Sequence, residues 1–218
     1  HMGMTAEIVA ERFNVTREQA DELSFQSHVK SNNATKNGYF SKEILPLTVK
    51  SKKTEFEFKE DEGIRPDISM EALSKLRPAF KKDGIVTAGN SSQISDGAAA
   101  LVITSRKYAE EKSLNILASI RDYNTGGTKP EWIMEAPIST TQTLLKRNDM
   151  TIDDIDLFEH NEAFATASVA VKKTLEVPDE KFNVNGGAVA IGHPIGCSGA
   201  RVLVSLIYEL QRAQKHRG

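Results

Sequence analysis

The chain is short of the residues that announce many protein classes: among 218 residues there are one cysteine, one tryptophan and seven prolines. A lone cysteine excludes an intramolecular disulfide and points to a reducing, intracellular compartment, with the cytoplasm as the expectation. No uninterrupted apolar run approaches the roughly 20 residues a bilayer-crossing helix needs, and no signal-peptide pattern is apparent. Charge of one sign is also lacking. With 28 basic and 30 acidic residues the formal charge is −2, which gives neither nucleic acid nor an anionic membrane a bulk electrostatic handle. No metal is expected.

What is present suits a soluble globular protein. The 39% hydrophobic content can furnish a real core in one large domain or two modest ones. Residues 5 to 37 read as two helices, the first capped by Thr5, the second opened by a Thr16/Gln19 capping box and ending near Gly38. This pair is polar enough to be surface structure. EILPLTVK (43–50) and TEFEFKE (54–60) alternate as strands of a small hairpin, with Pro46 at an edge and Ser51, Lys52 and Lys53 in the turn. Ser69 caps a short helix, after which residues 77 to 97 carry turn formers and no sustained period; irregular stretches of that length are often functional.

From Ala98 the texture changes. AAALVIT (98–104) reads as a buried strand, SRKYAEEKS (105–113) as a helix, LNILASIRDYN (114–124) as a strand and TTQTLLKRN (140–148) as a helix. DIDLFE (154–159) reads as another strand and NEAFATASVAVKKTL (161–175) as a helix ended by Pro178. A glycine segment then leads into a last amphipathic helix, ARVLVSLIYELQRAQ (200–214). Alternating strands and helices argue for a layered α/β domain.

The glycine segment, NVNGGAVAIGHPIGCSGAR (183–201), holds the chemistry-bearing residues. Its glycines match neither G-x-G-x-x-G nor the P-loop pattern, so a nucleotide reading is weak; tight backbone packing explains them equally well. His193 is a natural base for a thiol, although a lone histidine is more often structural. Cys197 sits at the start of the last helix, where the helix dipole makes a thiol more reactive, yet a small buried side chain among glycines is at least as good an account. Asn161 is either an N-cap at a strand-to-helix corner or an amide orienting a water or substrate carbonyl at a sheet edge.

HNEAFA (160–165), NVNGGAVAIGHPIGCSGAR (183–201), VTAGNSSQISDGAAA (86–100) and the opening MGMTAEIVAERF together resemble the thiolase family of acyl-CoA C-acyltransferases, in family order over essentially the whole chain. The N-E-A-F and G-H-P wording sets it apart from the ketoacyl synthases. The resemblance implies a layered αβαβα thiolase-like fold, incomplete, with an α+β loop domain. Residues 1–92 would be part of the coenzyme A-covering loop domain, 93–112 the end of the N-terminal half, and 113–218 a C-terminal half lacking its last strands.

It also implies roles. His193 would activate a nucleophilic cysteine and donate to an oxyanion hole, and Asn161 would hold a water completing that hole. His1 and Met2, which a cloning scar would equally leave, match the mouth of the acyl pocket; Arg65 and Phe80 match contacts to the adenine end; Ala88 and Ser92 line the pantetheine path; Phe164 closes the pocket. Lys52, Lys53, Lys81 and Lys82 could steer phosphates at the rim, though solvated surface lysines are the commoner case. Both thiols of the family's mechanism are missing here, and Cys197 matches a position held by alanine or cysteine that is not the nucleophile.

The expectation is therefore a thiolase acting on a 3-ketoacyl-CoA, acetoacetyl-CoA above all, with coenzyme A and acyl-CoA as substrates and no tightly bound cofactor. The full protein would be a homodimer or homotetramer, and this chain alone inactive. The alternative is a non-catalytic CoA-binding module or a thiolase-like scaffold subunit.

Overall fold

The computed structural model describes residues 1–50 and 54–218, so the expected hairpin turn, with Lys52 and Lys53, lies outside the described residues. Helix α1 spans Met2–Arg12. It is capped by His1, whose Nδ1 accepts from the Gly3 amide at 3.1 Å, and not by Thr5, whose hydroxyl turns back to the Met2 carbonyl at 2.7 Å. Helix α2, Arg17–Lys36, opens on the expected capping box: the Gln19 amide donates to Thr16 Oγ1 and the Thr16 amide to Gln19 Oε1, satisfying two of the helix's orphan N–H groups.

The expectation of a surface pair is corrected by α2, which buries Ser24, Ser27, His28 and Ser31. Its polar face is an internal one, because small hydroxyls let a neighbouring backbone come close and then satisfy that backbone's polar groups.

Strands β1 (Leu47–Lys50) and β2 (Glu55–Phe58) pair antiparallel, Leu47 opposite Phe58 and Val49 opposite Phe56. Ser69 caps α3 (Met70–Ser74) and Ser105 caps α4 (Arg106–Glu111). Helices α5 (Ala136–Arg147), α6 (Ala165–Leu175), α7 (Ala188–Ile191) and α8 (Ile195–Arg212) follow. Helix α6 is the hub, packed by α1, α2 and α5, with every residue from Ala165 to Val171 buried. A helix apolar or small on all sides belongs inside a protein. Val9, Ala10, Val86, Met134, Val169 and Ala170 form the core on one side of it, and Ile138, Val171, Leu175 and Phe182 on the other.

Three strand expectations fail among the described residues. Residues 98–104 and 114–124 form no ladder, and Val102 and Ile103 are 93% and 70% exposed instead of buried. A strand is completed by its neighbour, and no described segment pairs with these. They line an open groove of about 2040 Å³ against one face of α8. Residues 154–159 form only a bridge, Phe158 parallel to Phe182. The helix expected from Asn161 starts at Ala165 with Phe164 as N-cap, and it ends ahead of Pro178 through Glu176 in the left-handed region. The last helix begins at Ile195, not Ala200.

Candidate active site

Two loops, 158–164 and 182–194, are sewn together by Asn183. Its side chain accepts from the His160 amide at 2.7 Å and donates to the His160 carbonyl at 2.9 Å and Glu162 Oε1 at 2.8 Å. Glu162 is buried to 2% exposure and also accepts from the Ser27 hydroxyl at 2.6 Å and the Val189 amide at 3.2 Å. Burial pushes its carboxyl above the usual range while these donors pull the other way. The carboxylate therefore ties α2, the N-E-A-F loop and the start of α7 at one point.

The glycines permit this closeness. Gly186 (φ +78°) lies where a Cβ would meet Ser31 Oγ at 2.1 Å, and Gly192 (φ +92°) where it would meet Ser95 Oγ at 2.1 Å; both reasons call for glycine. Beyond Gly192 the His193 amide donates to the Gln93 carbonyl at 3.2 Å, while Gln93 Nε2 reaches the Gly63 and Ala190 carbonyls. Arg201 of α8 donates to the Gly192 carbonyl at 2.6 Å.

This scaffold brings His193 and Asn161 together. Asn161 Nδ2 lies 3.4 Å from Nδ1 and 3.3 Å from Nε2 of the half-buried imidazole. Near-equal distances put the amide nitrogen against the face of the ring, off the lone-pair direction of either nitrogen. Asn161 Oδ1 is buried and has no hydrogen-bond partner among the described residues, a cost of about 1–3 kcal/mol unless a water or ligand donates to it. The His193 ring is held below its ordinary pKa, first by burial and then by the Arg201 charge, so it is neutral at pH 7 and able to take a proton.

Of the other candidate residues, three form a row. The His1 and Phe80 rings stand 4.9 Å apart, and Phe80 meets Phe164 edge-on at 5.9 Å. Met2 is 52% exposed beside them. Ser92 donates its amide to the Ala163 carbonyl at 3.1 Å, next to the Asn161 loop. Ala88 is exposed in the preceding turn. Arg65 stands apart from the row; its backbone amide donates to His28 Nδ1 at 3.1 Å. Lys81 pairs with Glu11 and Lys82 is exposed.

Cys197 lies in the first turn of α8, buried, its Sγ 3.6 Å from where a Cβ on Gly97 would stand. Sequence reasoning passed over Ser198, Glu162 and Asn183. Ser198 Oγ lies 2.6 Å from His193 Nδ1, and the signal for it was only a hydroxyl five residues past the histidine, across a helix start. Among the described residues no group of His, Cys, Asp and Glu is placed to hold a metal ion, and no helix is long and apolar enough to cross a membrane.

Comparison with known proteins identifies the family. The thiolase N-terminal domain matches residues 1–107 and the thiolase C-terminal domain residues 114–218. A probable acetyl-CoA acyltransferase of Staphylococcus aureus is 47% identical over 211 residues, 96% of this chain and 54% of that protein. The crystal structure of the Bacillus anthracis acetyl-CoA acetyltransferase superposes with a TM-score of 0.95 at 46% identity, over 98% of this chain and 54% of that one. Human mitochondrial 3-ketoacyl-CoA thiolase in complex with CoA gives 0.93 at 40% identity, over 98% and 53%. The chain belongs to the thiolase family and has its layered α/β fold, and it spans about half the length of the curated relatives it matches.

Proposed function

We propose that this chain supplies the histidine and asparagine of a thiolase active centre, which transfers an acyl group reversibly between a 3-ketoacyl-CoA, acetoacetyl-CoA above all, and coenzyme A. The observation that carries the reading is the meeting of His193 and Asn161 from separate loops, with the buried Asn161 Oδ1 lacking a donor among the described residues. His193 takes the proton of a cysteine thiol, and the thiolate attacks the 3-keto carbonyl. The C2–C3 bond breaks, and the shorter acyl-CoA leaves as an enolate that takes up a proton. The remaining acyl group stays on sulfur as a thioester until the thiol of coenzyme A, giving up its proton, displaces the cysteine as thiolate. A water held on Asn161 Oδ1 and the protonated ring then face the oxygen on which charge develops, each donor worth about 3 kcal/mol when well placed. His1, Met2, Arg65, Phe80, Ala88, Ser92 and Phe164 would hold coenzyme A, for which the CoA-bound human thiolase, 40% identical, is the support.

The nucleophile is not Cys197, which is buried and packed toward Gly97. The thiol must come from polypeptide outside these residues, so the 218-residue chain alone does not turn over. The whole enzyme would be a cytoplasmic homo-oligomer. Acetoacetyl-CoA cleavage with CoA, followed for the chain alone and for the chain together with the polypeptide bearing the thiol, tests this. Activity of the second alone, lost in His193→Ala and reduced about 100-fold in Asn161→Ala, is expected; activity of the isolated chain that Cys197→Ser abolishes would overturn it.

The lone buried cysteine favours a second reading, a CoA-binding module without catalysis. Calorimetric titration of CoA into the isolated chain separates the two: binding without turnover in either assay favours the module.

A further inference from the structure

We infer that Ser198 is a positioning residue that keeps the proton of neutral His193 on Nδ1 and leaves Nε2 as the bare, basic nitrogen of the site. The inference rests on the reading of His193 as a base. Ser198 is the fourth residue of α8 and is 2% exposed. Its Oγ stands 3.0 Å from the Pro194 carbonyl and 2.6 Å from His193 Nδ1. A hydroxyl has one proton and two lone pairs. Directed to Pro194 O, one turn back along the helix, that proton leaves only a lone pair toward the ring, and the short bridge must then be filled by an N–H on Nδ1. The other arrangement, hydroxyl donating to Nδ1, leaves the ring's proton on Nε2, where it blocks removal of a thiol proton.

The charged state separates these arrangements. Once His193 has accepted a proton both ring nitrogens are donors, so Ser198 must accept at Nδ1, and only the first arrangement serves the ring before and after transfer without reorganisation. Pro194 O also accepts from the Cys197 and Ser198 amides, at 2.8 and 2.9 Å, which fixes the carbonyl at the helix start, with the hydroxyl as its third donor. The Arg201 guanidinium, held on the Gly192 carbonyl at 2.6 Å, is the charged group bearing on the ring. It disfavours the imidazolium without choosing a nitrogen, so the choice falls to Ser198. Asn161 lies against the ring face and does not take either lone pair.

Nitrogen-15 NMR of the histidine rings in the 218-residue chain, above the titration of His193, reads the tautomer directly and needs neither CoA nor a catalytic thiol. The wild-type ring is expected as Nδ1–H, against the Nε2–H form that free histidine favours in water. Ser198→Ala should shift the Nδ1–H to Nε2–H ratio about fivefold toward Nε2–H, the worth of one hydrogen bond, and Ser198→Thr should restore it. Circular dichroism melts establish that each variant is folded. A wild-type ring found as Nε2–H, or a ratio unchanged in folded Ser198→Ala, would overturn the inference, and the wild-type spectrum decides even where the alanine variant does not fold. Absence of turnover when the chain is combined with the polypeptide bearing the thiol, with the tautomer as expected, would count against the proposed function alone.

Discussion

A Cβ placed on Gly187 would lie 2.5 Å from the carboxyl carbon of Glu162. The second glycine of the G-G pair is thus the price of bringing a backbone against a buried carboxylate that three donors hold. Neither partner can give: Glu162 is fixed from three elements, and Gly187 donates its own amide to Ser27 Oγ at 3.0 Å. Gly187→Ala is expected to lower stability by about 1–3 kcal/mol, as overpacking does, and to loosen the loop that carries His193. Gly199, in α8 with open space around its Cβ position, is the control: Gly199→Ala should be neutral or stabilising by up to about 1 kcal/mol. Equal losses in urea melts of the two variants would refute the packing argument.

His28 makes folding sensitive to acid. Burial, and secondarily the Arg65 charge, lower its pKa from 6.5 to about 4, and its Nδ1 must stay unprotonated to accept the Arg65 amide. A depressed folded-state pKa means that the contribution is complete above about 6.5 and is lost as pH falls from there through about 4. Other groups titrate in this window, Glu43 among them, raised to about 7 by burial, so the informative quantity is a difference. The gap in melting temperature between wild type and His28→Gln should shrink as pH drops from about 6.5 to about 4. A gap independent of pH would show that His28 does not titrate as its surroundings require.

What sequence revealed of the fold was what is local. Thr16 and Ser69 cap where their spacing says, and the 43–60 alternation makes a hairpin, because a cap or a hairpin is decided within a few residues. Residues 98–104 and 114–124 have the composition of strands, but a ladder needs a second backbone, which no pattern within a segment can supply. Helix α2 misled for the opposite reason: serines and a histidine read as solvent-facing until Glu162, Asn185 and Gly187 provide the partners that let them be buried. At the site, resemblance to thiolases singled out His193 and Asn161, and residue pattern alone left both open. Their meeting, across 32 residues of chain, is a property of two loops joined through Asn183 and Glu162, neither of which carries a sequence signal of its own.

Cys197 should behave as a packed side chain. It is 7% exposed in the first turn of α8, so a thiol reagent such as Ellman's should label it slowly in the folded chain and rapidly in denaturant. Exposed catalytic thiols react without unfolding. Fast stoichiometric labelling of the native chain would return Cys197 to the list of candidate nucleophiles.

The groove formed by residues 98–104, 114–121 and α8 carries the last prediction. Val102, Ile103 and Ile120 are 93%, 70% and 58% exposed, and a contiguous apolar surface of this kind favours association. The same segments have no ladder partners among the described residues, and unpaired backbone invites association. The isolated chain is therefore expected to enhance the fluorescence of 8-anilinonaphthalene-1-sulfonate strongly while giving a cooperative melt, and to associate as its concentration rises. Replacing Val102 by Glu and Ile103 by Lys should reduce both the dye signal and the association. Because neither side chain is packed in the core, the melting temperature should move little, within about 0.5 kcal/mol of stability. A dye signal that survives the double substitution, or that appears only with loss of the melt, would place the apolar surface in a loosened core and not in this groove.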